Sequence, residues 1–232
     1  MPTTYKNLQD HLIAVTNRGD ITAPPLTLIA PAINWALNEI QRHHNFRCMR
    51  TMDEQDMEIG EPYYELPVPN GFQRFKEMIS VKYLSTDNKL QELWPLEADQ
   101  LFSHSVVRPD TEEIFDLSDP IGIGLPVFWG EEEGAIILRP APDTVYPIEF
   151  RFYAFLDDLA DDTDHNELTD EYPEAVLFQS MARIFEIVSE RDLAGDYAQL
   201  AAGAFNSVRR EQTLSKLRTL RRPGDSPVRI PG

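Results

Sequence analysis

One pairing in the chain has the makings of an activated nucleophile: Cys48, with His43 and His44 just before it. An imidazole beside a thiol can draw off its proton and leave a thiolate. The segment around it, FRCMRTM, alternates apolar and polar residues. That pattern is also what a small buried residue on a strand gives, with two polar histidines at a helix end, and we adopt this plainer reading. A second candidate is the acidic run Asp157, Asp158, Asp161, Asp162 and Asp164, which could attract calcium. An EF-hand loop needs D-x-D-x-D-G and a closing glutamate, and the run has neither that glycine nor that spacing. It reads as a solvated, self-repelling connector.

Other catalytic patterns are missing. There is no G-x-S-x-G elbow, no H-E-x-x-H and no G-K-[ST]. Gly122 and Gly124 do not continue to a third glycine, and Pro126 blocks the helix that a dinucleotide loop would open. Paired carboxylates could serve glycoside hydrolysis, but a chain this acidic offers such pairs by chance. The aromatic residues Trp94, Trp129, Tyr146, Phe150, Phe152, Tyr153 and Phe155 lack a basic groove around them, so they read as core rather than as a nucleic-acid platform. The expectation is therefore a protein that is not an enzyme, with no catalytic residue, no metal and no cofactor.

Composition sets further bounds. The 232 residues are 42% hydrophobic, enough for a packed core in one large domain or two small ones. No run approaches the ~20 apolar residues of a membrane span, and the N-terminus lacks the basic and apolar regions of a signal peptide. The single cysteine excludes an internal disulfide and an all-cysteine metal cage, which suits a reducing cytoplasm or a particle assembled there. The net charge of −18 opposes general nucleic-acid binding. That charge is uneven. From residue 209 onward Arg209, Arg210, Lys216, Arg218, Arg221, Arg222 and Arg229 are opposed only by Glu211 and Asp225. Composition alone explains this as a helix end whose cations complement the macrodipole, with a frayed end beyond. The alternative is a docking arm for an acidic partner.

The elements follow an α, β, α plan. Tyr5, Leu8, Leu12 and Val15 predict a first helix stopped by Gly19. A second helix starts close to Ala30, tolerates Pro31 in its first turn, and carries Ile33, Leu37 and Ile40 on one face with Trp35 beside it. After Phe46 the pattern shifts to alternation. Strands are predicted over 46–52, 63–66 and 74–84, with a short helix over 97–104. Three more strands lie in GLPVFWGEEEGAIILRPAPDTVYPIEFRFYAF, where Pro140 and Pro142 form a corner and Ile148, Phe150, Phe152 and Ala154 alternate with Glu149, Arg151 and Tyr153. Two helices close the chain. One starts at Pro173 and carries Leu177, Met181, Ile184 and Val188; the other runs from about Leu193 with Tyr197, Leu200, Ala204 and Val208 in register. The fold class expected is α+β: a helical bundle from the N- and C-terminal helices, with an inserted, sandwich-like antiparallel β domain. The expected divisions are 1–45 and 156–215 for the bundle, 46–155 for the insertion, and 216–232 for a basic tail.

Taken in order, several of these pieces resemble the bacteriophage adaptor, or head-to-tail connector, family of short-tailed phages. They are the first helix closing on Arg18-Gly19-Asp20, then ITAPPLTLIAPAINWALNEIQR, YYELPVPNGFQRFKEMISV, GLPVFWG, ILRPAPD, IEFRFYAF and EYPEAVLFQSMARIFEIVSERD. The segment from Ser85 to Asp119 matches little. The resemblance implies a virion structural protein: a ring, dodecameric to match the portal, joining portal to tail at the head-tail junction. Its partners would be the portal protein, tail or fibre proteins, and further copies of itself. The genome would pass through during ejection without specific binding, and no membrane is involved. On this reading Lys216, Arg218, Arg221, Arg222 and Arg229 become portal-docking candidates, and the exposed turn with Glu131, Glu132 and Glu133 a candidate tail contact. The competing readings are a hydrolase using paired carboxylates in the β domain, and a soluble binding module unrelated to phage.

Overall fold

The computed structural model describes residues 2–16, 28–67, 74–85, 87–101, 105–107, 114–116 and 122–220. The elements run α1 (Tyr5–Thr16), α2 (Ile29–His43), a 3-10 turn (Arg47–Met49), β1 (Arg50–Asp56), β2 (Tyr63–Glu65), β3 (Phe75–Leu84), β4 (Leu90–Glu92), β5 (Trp94–Pro95) and α3 (Ala98–Leu101). Then come β6 (Ser105–Val107), β7 (Ile114–Asp116), β8 (Ile123–Gly124), β9 (Phe128–Glu132), β10 (Ala135–Arg139), β11 (Ala141–Pro142) and β12 (Pro147–Ala154). The chain closes with α4 (Glu167–Glu171), α5 (Pro173–Ile187) and α6 (Arg191–Leu220). The fold class is α+β. Two compact units are present: residues 1–44 with 158–232, and residues 45–157.

In the helical unit, α1 buries Tyr5, Leu8, Leu12 and Thr16, and leaves Val15 exposed. Val15 was the expected fourth member of this stripe. Thr16 takes the place because its hydroxyl donates to the Leu12 carbonyl at 2.7 Å and so needs no outside partner. Helix α2 buries Ile33, Leu37 and Ile40, with Ala32 and Ala36 between them. Pro31 falls in its first turn, where a missing N–H costs nothing.

The acidic run between the units' sequences is solvated, as expected, with Asp157, Asp158, Asp161 and Asp162 exposed, but it is also tied into the helical unit. The Asp164 carboxylate accepts from the backbone N–H groups of Ala160 and Asp161, both at 2.8 Å. The Asp164 and Asp162 carbonyls accept from Tyr5 and Lys6 N–H at 2.7 and 3.1 Å. These are two of the donors that the start of a helix leaves without intrahelical partners. The run thus caps α1.

Helix α4 opens with a reciprocal cap. The Asn166 side chain accepts from Thr169 N–H at 3.1 Å, and the Thr169 hydroxyl accepts from Asn166 N–H at 3.0 Å. Helix α5 starts on Pro173 and packs against α2 and α6. On α6 the Tyr197 ring stacks on Phe185, centroids 5.4 Å apart and planes 10° off parallel. Ala201 is buried, whereas Leu200, expected on the inner face, is 50% exposed. A small residue on the contact line lets two helices approach closely, so the larger leucine is turned out.

In the β unit, one sheet has the order β1-β12-β3-β4 and a second the order β2-β10-β9-β5. Ile148, Phe150 and Phe152 of β12, with Met78, Val81 and Tyr83 of β3, share one buried cluster with Tyr64, Trp129, Ile136 and Leu138 of the second sheet. Two inner faces joined by one core make a sandwich. Not every pairing is antiparallel: β5 pairs β9, and β8 pairs β11, in parallel. Parallel neighbours need a long connection. Residues 96–127 supply it for the first pair, and the β9–β10 hairpin for the second.

The short helix predicted over 97–104 is α3 at Ala98–Leu101, and residues 102–104 lie outside the described residues. Two details differ from the sequence expectation. Residues 47–49 form a 3-10 turn, so the strand predicted over 46–52 begins at Arg50. Tyr153, on the outward face by strand alternation though read as core among the aromatic residues, is 9% exposed. Arg50 covers it: its Nε donates to the phenol oxygen at 3.2 Å and its guanidinium lies 5.7 Å from the ring centroid.

Candidate interaction surfaces

The residues that could have carried catalysis are engaged otherwise. His43 pairs with Glu39 at 3.0 Å, and His44 stacks on Phe205 with centroids 5.3 Å apart. Cys48 lies in the 3-10 turn, half-buried. Among the described residues, no group of three or more His, Cys, Asp or Glu side chains is placed to hold a metal ion. Gly122 and Gly124 belong to a ladder rather than a phosphate loop: Ala141 N–H donates to Gly122 O at 2.9 Å and Asp143 N–H to Gly124 O at 3.1 Å.

The Glu131–Glu133 turn is tighter than its sequence suggests. Glu131 and Glu132 lie within β9, and only Glu133 and Gly134 make the turn, both with positive φ (48° and 86°). Two such residues form the hairpin connection whose twist matches that of its strands. Glu131 is exposed as a residue, but its carboxyl end is partly desolvated and accepts the Met78 N–H. A bulge in β3 explains why that N–H points there. Arg151 pairs with Ser80 and Phe152 with Met78, which leaves Ile79 without an opposite residue. Desolvation raises the Glu131 pKa, the Met78 N–H lowers it, and the like charge of Glu77 adds a smaller upward push. Of the three glutamates, Glu132 is half-buried and Glu133 is exposed. The Met78 contact places this turn at the end by which the chain enters and leaves the β unit, because Phe75 pairs with Ala154 at the same end.

The basic end of the chain begins on a helix. Helix α6 runs to Leu220, so Lys216 and Arg218 belong to its last turns, where cations complement the macrodipole. Their side chains, and Arg221, Arg222 and Arg229 entirely, lie outside the described residues. At 30 residues α6 is about 45 Å long, twice the length of the 15-residue α5 beside it.

One surface was not read from the sequence. A groove of about 320 Å³ lies between the end of α2 and α6, lined by Ile40, His43, His44, Ala198, Ala202 and Phe205. The signal for it was present in the spacing of Ala198 and Ala202, small residues one helical turn apart on α6.

Comparison with known proteins identifies the family. The family model described as SU10 adaptor protein matches residues 3–230. The chain belongs to the SU10 adaptor protein family. This is a phage adaptor family, and the chain is a structural component of a phage virion. The match spans both units of the SU10 adaptor chain, including the Ser85–Asp119 stretch that sequence motifs left unassigned. A search of curated proteins finds no match.

Proposed function

We propose that this chain forms the adaptor ring joining the portal to the tail, and that its ring makes part of the channel through which the genome leaves. The observation that carries the reading is the family match from residue 3 to residue 230, which spans helical and β units together. The ring is a dodecamer that repeats the symmetry of the portal, with further copies of this chain as its first partners. The helical bundle builds the ring, and the inserted β unit faces tail or fibre proteins, with Glu131, Glu132 and Glu133 on that unit. The ring assembles in the host cytoplasm.

Charge supports the two ends of this role differently. A DNA conduit works only if the duplex slides, and Lys or Arg contacts to phosphates would hold it. A chain with net charge −18 suits a channel wall that does not bind the genome. The cluster Lys216, Arg218, Arg221, Arg222 and Arg229 then serves as an arm that docks on an acidic surface of the portal. The test is to mix the purified chain with a portal ring and image the product by electron microscopy. An added ring of density below the portal is expected. A portal left bare overturns the reading.

A further inference from the structure

The β unit has two unlike ends. The chain enters at Asn45 and leaves at Asp157. Strand β1 runs away from that end for seven residues and β12 returns, so residues 57–61 and 143–146 lie about 20 Å away, at the far end. Three segments are tied together there. Met57 N–H donates to Tyr146 O and Gly60 N–H to Pro142 O, both at 2.8 Å. Ile123 and Gly124 pair with Ala141 and Pro142. A Cβ added at Gly60 would sit 3.7 Å from Ile123 Cδ1, so the turn at residues 59–60 lies against β8.

This end is apolar and open. Ile59 is 62% exposed, Ile123 60%, Val145 54% and Leu125 46%. Single exposed aliphatics are ordinary, but four on one tied group of segments, rimmed by polar residues, mark a contact surface. The rim is acidic: Glu58, Glu61 and Asp143 are exposed around it. Residues 51–73, 122–138 and 140–150, which include all three segments, contain no lysine or arginine. Arg139, adjacent in sequence, is buried at 4%. Lys82 and the β3–β4 hairpin with Lys89 reach this same end on the strands beyond β12, and Lys82 pairs with Glu92 at 3.2 Å.

We propose that the far end of the β unit, centred on Ile59, Ile123, Leu125 and Val145, is the docking surface for a basic, apolar segment of a tail-side virion protein. Charge complementarity selects the occupant. The carboxylates of Glu58, Glu61 and Asp143 around the patch repel a second copy of it and attract lysine and arginine, while the aliphatic centre accepts apolar side chains. The proposal rests on the adaptor reading and names the partner that the β unit meets. It also moves the tail contact away from the Glu131–Glu133 turn, which lies at the other end of the unit.

The test uses particles assembled with a plasmid-supplied copy of the chain carrying a photoreactive phenylalanine at position 125. Irradiation is expected to join it to a virion protein other than the portal or this chain, through a peptide that contains lysine or arginine. A second arm compares Ile123→Ser/Leu125→Ser and Glu58→Gln/Glu61→Gln chains, each checked for an unchanged melting temperature. Both should keep the adaptor on the particle; the apolar pair should cut the fraction of tailed particles by about tenfold, as loss of a central contact does, and the rim pair by a smaller factor. A cross-link to the portal or to a second copy, no cross-link, or full tailing by both variants overturns the proposal and leaves the adaptor reading standing. Absence of the unmodified chain from purified particles overturns both.

Discussion

Asn34 on α2 and Leu159 in the acidic run exchange two hydrogen bonds. The Asn34 Nδ2 donates to the Leu159 carbonyl at 2.9 Å, and the Leu159 N–H donates to Asn34 Oδ1 at 3.0 Å. One amide side chain thereby satisfies both backbone groups of a residue whose own side chain is buried at 4% exposure. One turn along α2, Asn38 Nδ2 reaches the Asp158 carboxylate at 2.8 Å. The run that looked like a repelling tether is laced to two helices.

Replacing Asn34 with alanine leaves a donor and an acceptor of Leu159 unmatched. We expect a loss of about 1–3 kcal/mol in urea unfolding. Asn34→Asp, which keeps the acceptor and removes the donor, should fall between alanine and the native residue. An alanine variant as stable as the parent would mean that water substitutes fully.

Gly130 tests the packing of α3 on the second sheet. A Cβ there would lie 2.4 Å from Leu101 Cδ1 and 2.7 Å from the Leu96 carbonyl oxygen. The second neighbour is backbone and cannot swing aside. Gly130→Ala should destabilise by about 1–3 kcal/mol, the usual cost of overpacking. Gly195→Ala on α6 has nothing within 4 Å and should stabilise by up to about 1 kcal/mol through helix propensity alone. Opposite signs in one denaturant series are the expected result.

Two carboxylates should respond to pH in opposite directions. The Glu131 pKa is raised, chiefly by desolvation, so the folded state holds its proton more readily than the unfolded state does. Its contribution is present below the unfolded pKa and is lost as the pH rises through the folded one. The Asp164 pKa is lowered by the N–H groups of Asp161 and Ala160. Its contribution is present above the unfolded pKa and is lost as the pH falls through the folded one. In melting experiments from acid to neutral pH, Glu131→Gln should gain on the parent as the pH rises, because glutamine still accepts the Met78 N–H. Asp164→Asn should lose on the parent over the same range. Parallel profiles for all three proteins would remove the assignment.

Deleting residues 218–232 should weaken portal binding more than folding. The deletion takes Arg218, Arg221, Arg222 and Arg229 and spares the α5–α6 contact made through Tyr197 and Ala201. Binding to a portal ring and the melting temperature are measured on the same sample. An equal loss of both would assign the segment to stability.

The sequence by itself determined the long helices α1, α2, α5 and α6 and the main strands β1–β3, β9, β10 and β12, because burial periodicity is local, whereas α4 and the short strands β4–β8 and β11 hold too few residues to show a period. Leu8 and Leu12, Ile33 and Leu37, and Ile148, Phe150 and Phe152 all point where their spacing says. The order of motifs from GLPVFWG to IEFRFYAF was enough to indicate the adaptor family, which the match over residues 3–230 bears out. Tertiary structure decided what depends on partners distant in the chain. Thr16 rather than Val15, and Ala201 rather than Leu200, face inward because the neighbouring helix sets the contact line. The parallel β8–β11 pair depends on a return of the chain that no local pattern encodes. The same holds for the candidate surfaces. Glu131 looks like its two neighbours in sequence, and only the bulge at Ile79, on another strand, separates it from them. Ile59, Ile123, Leu125 and Val145 are ordinary aliphatics, each in its own segment. Backbone hydrogen bonds between those segments bring them to one end, where they are exposed.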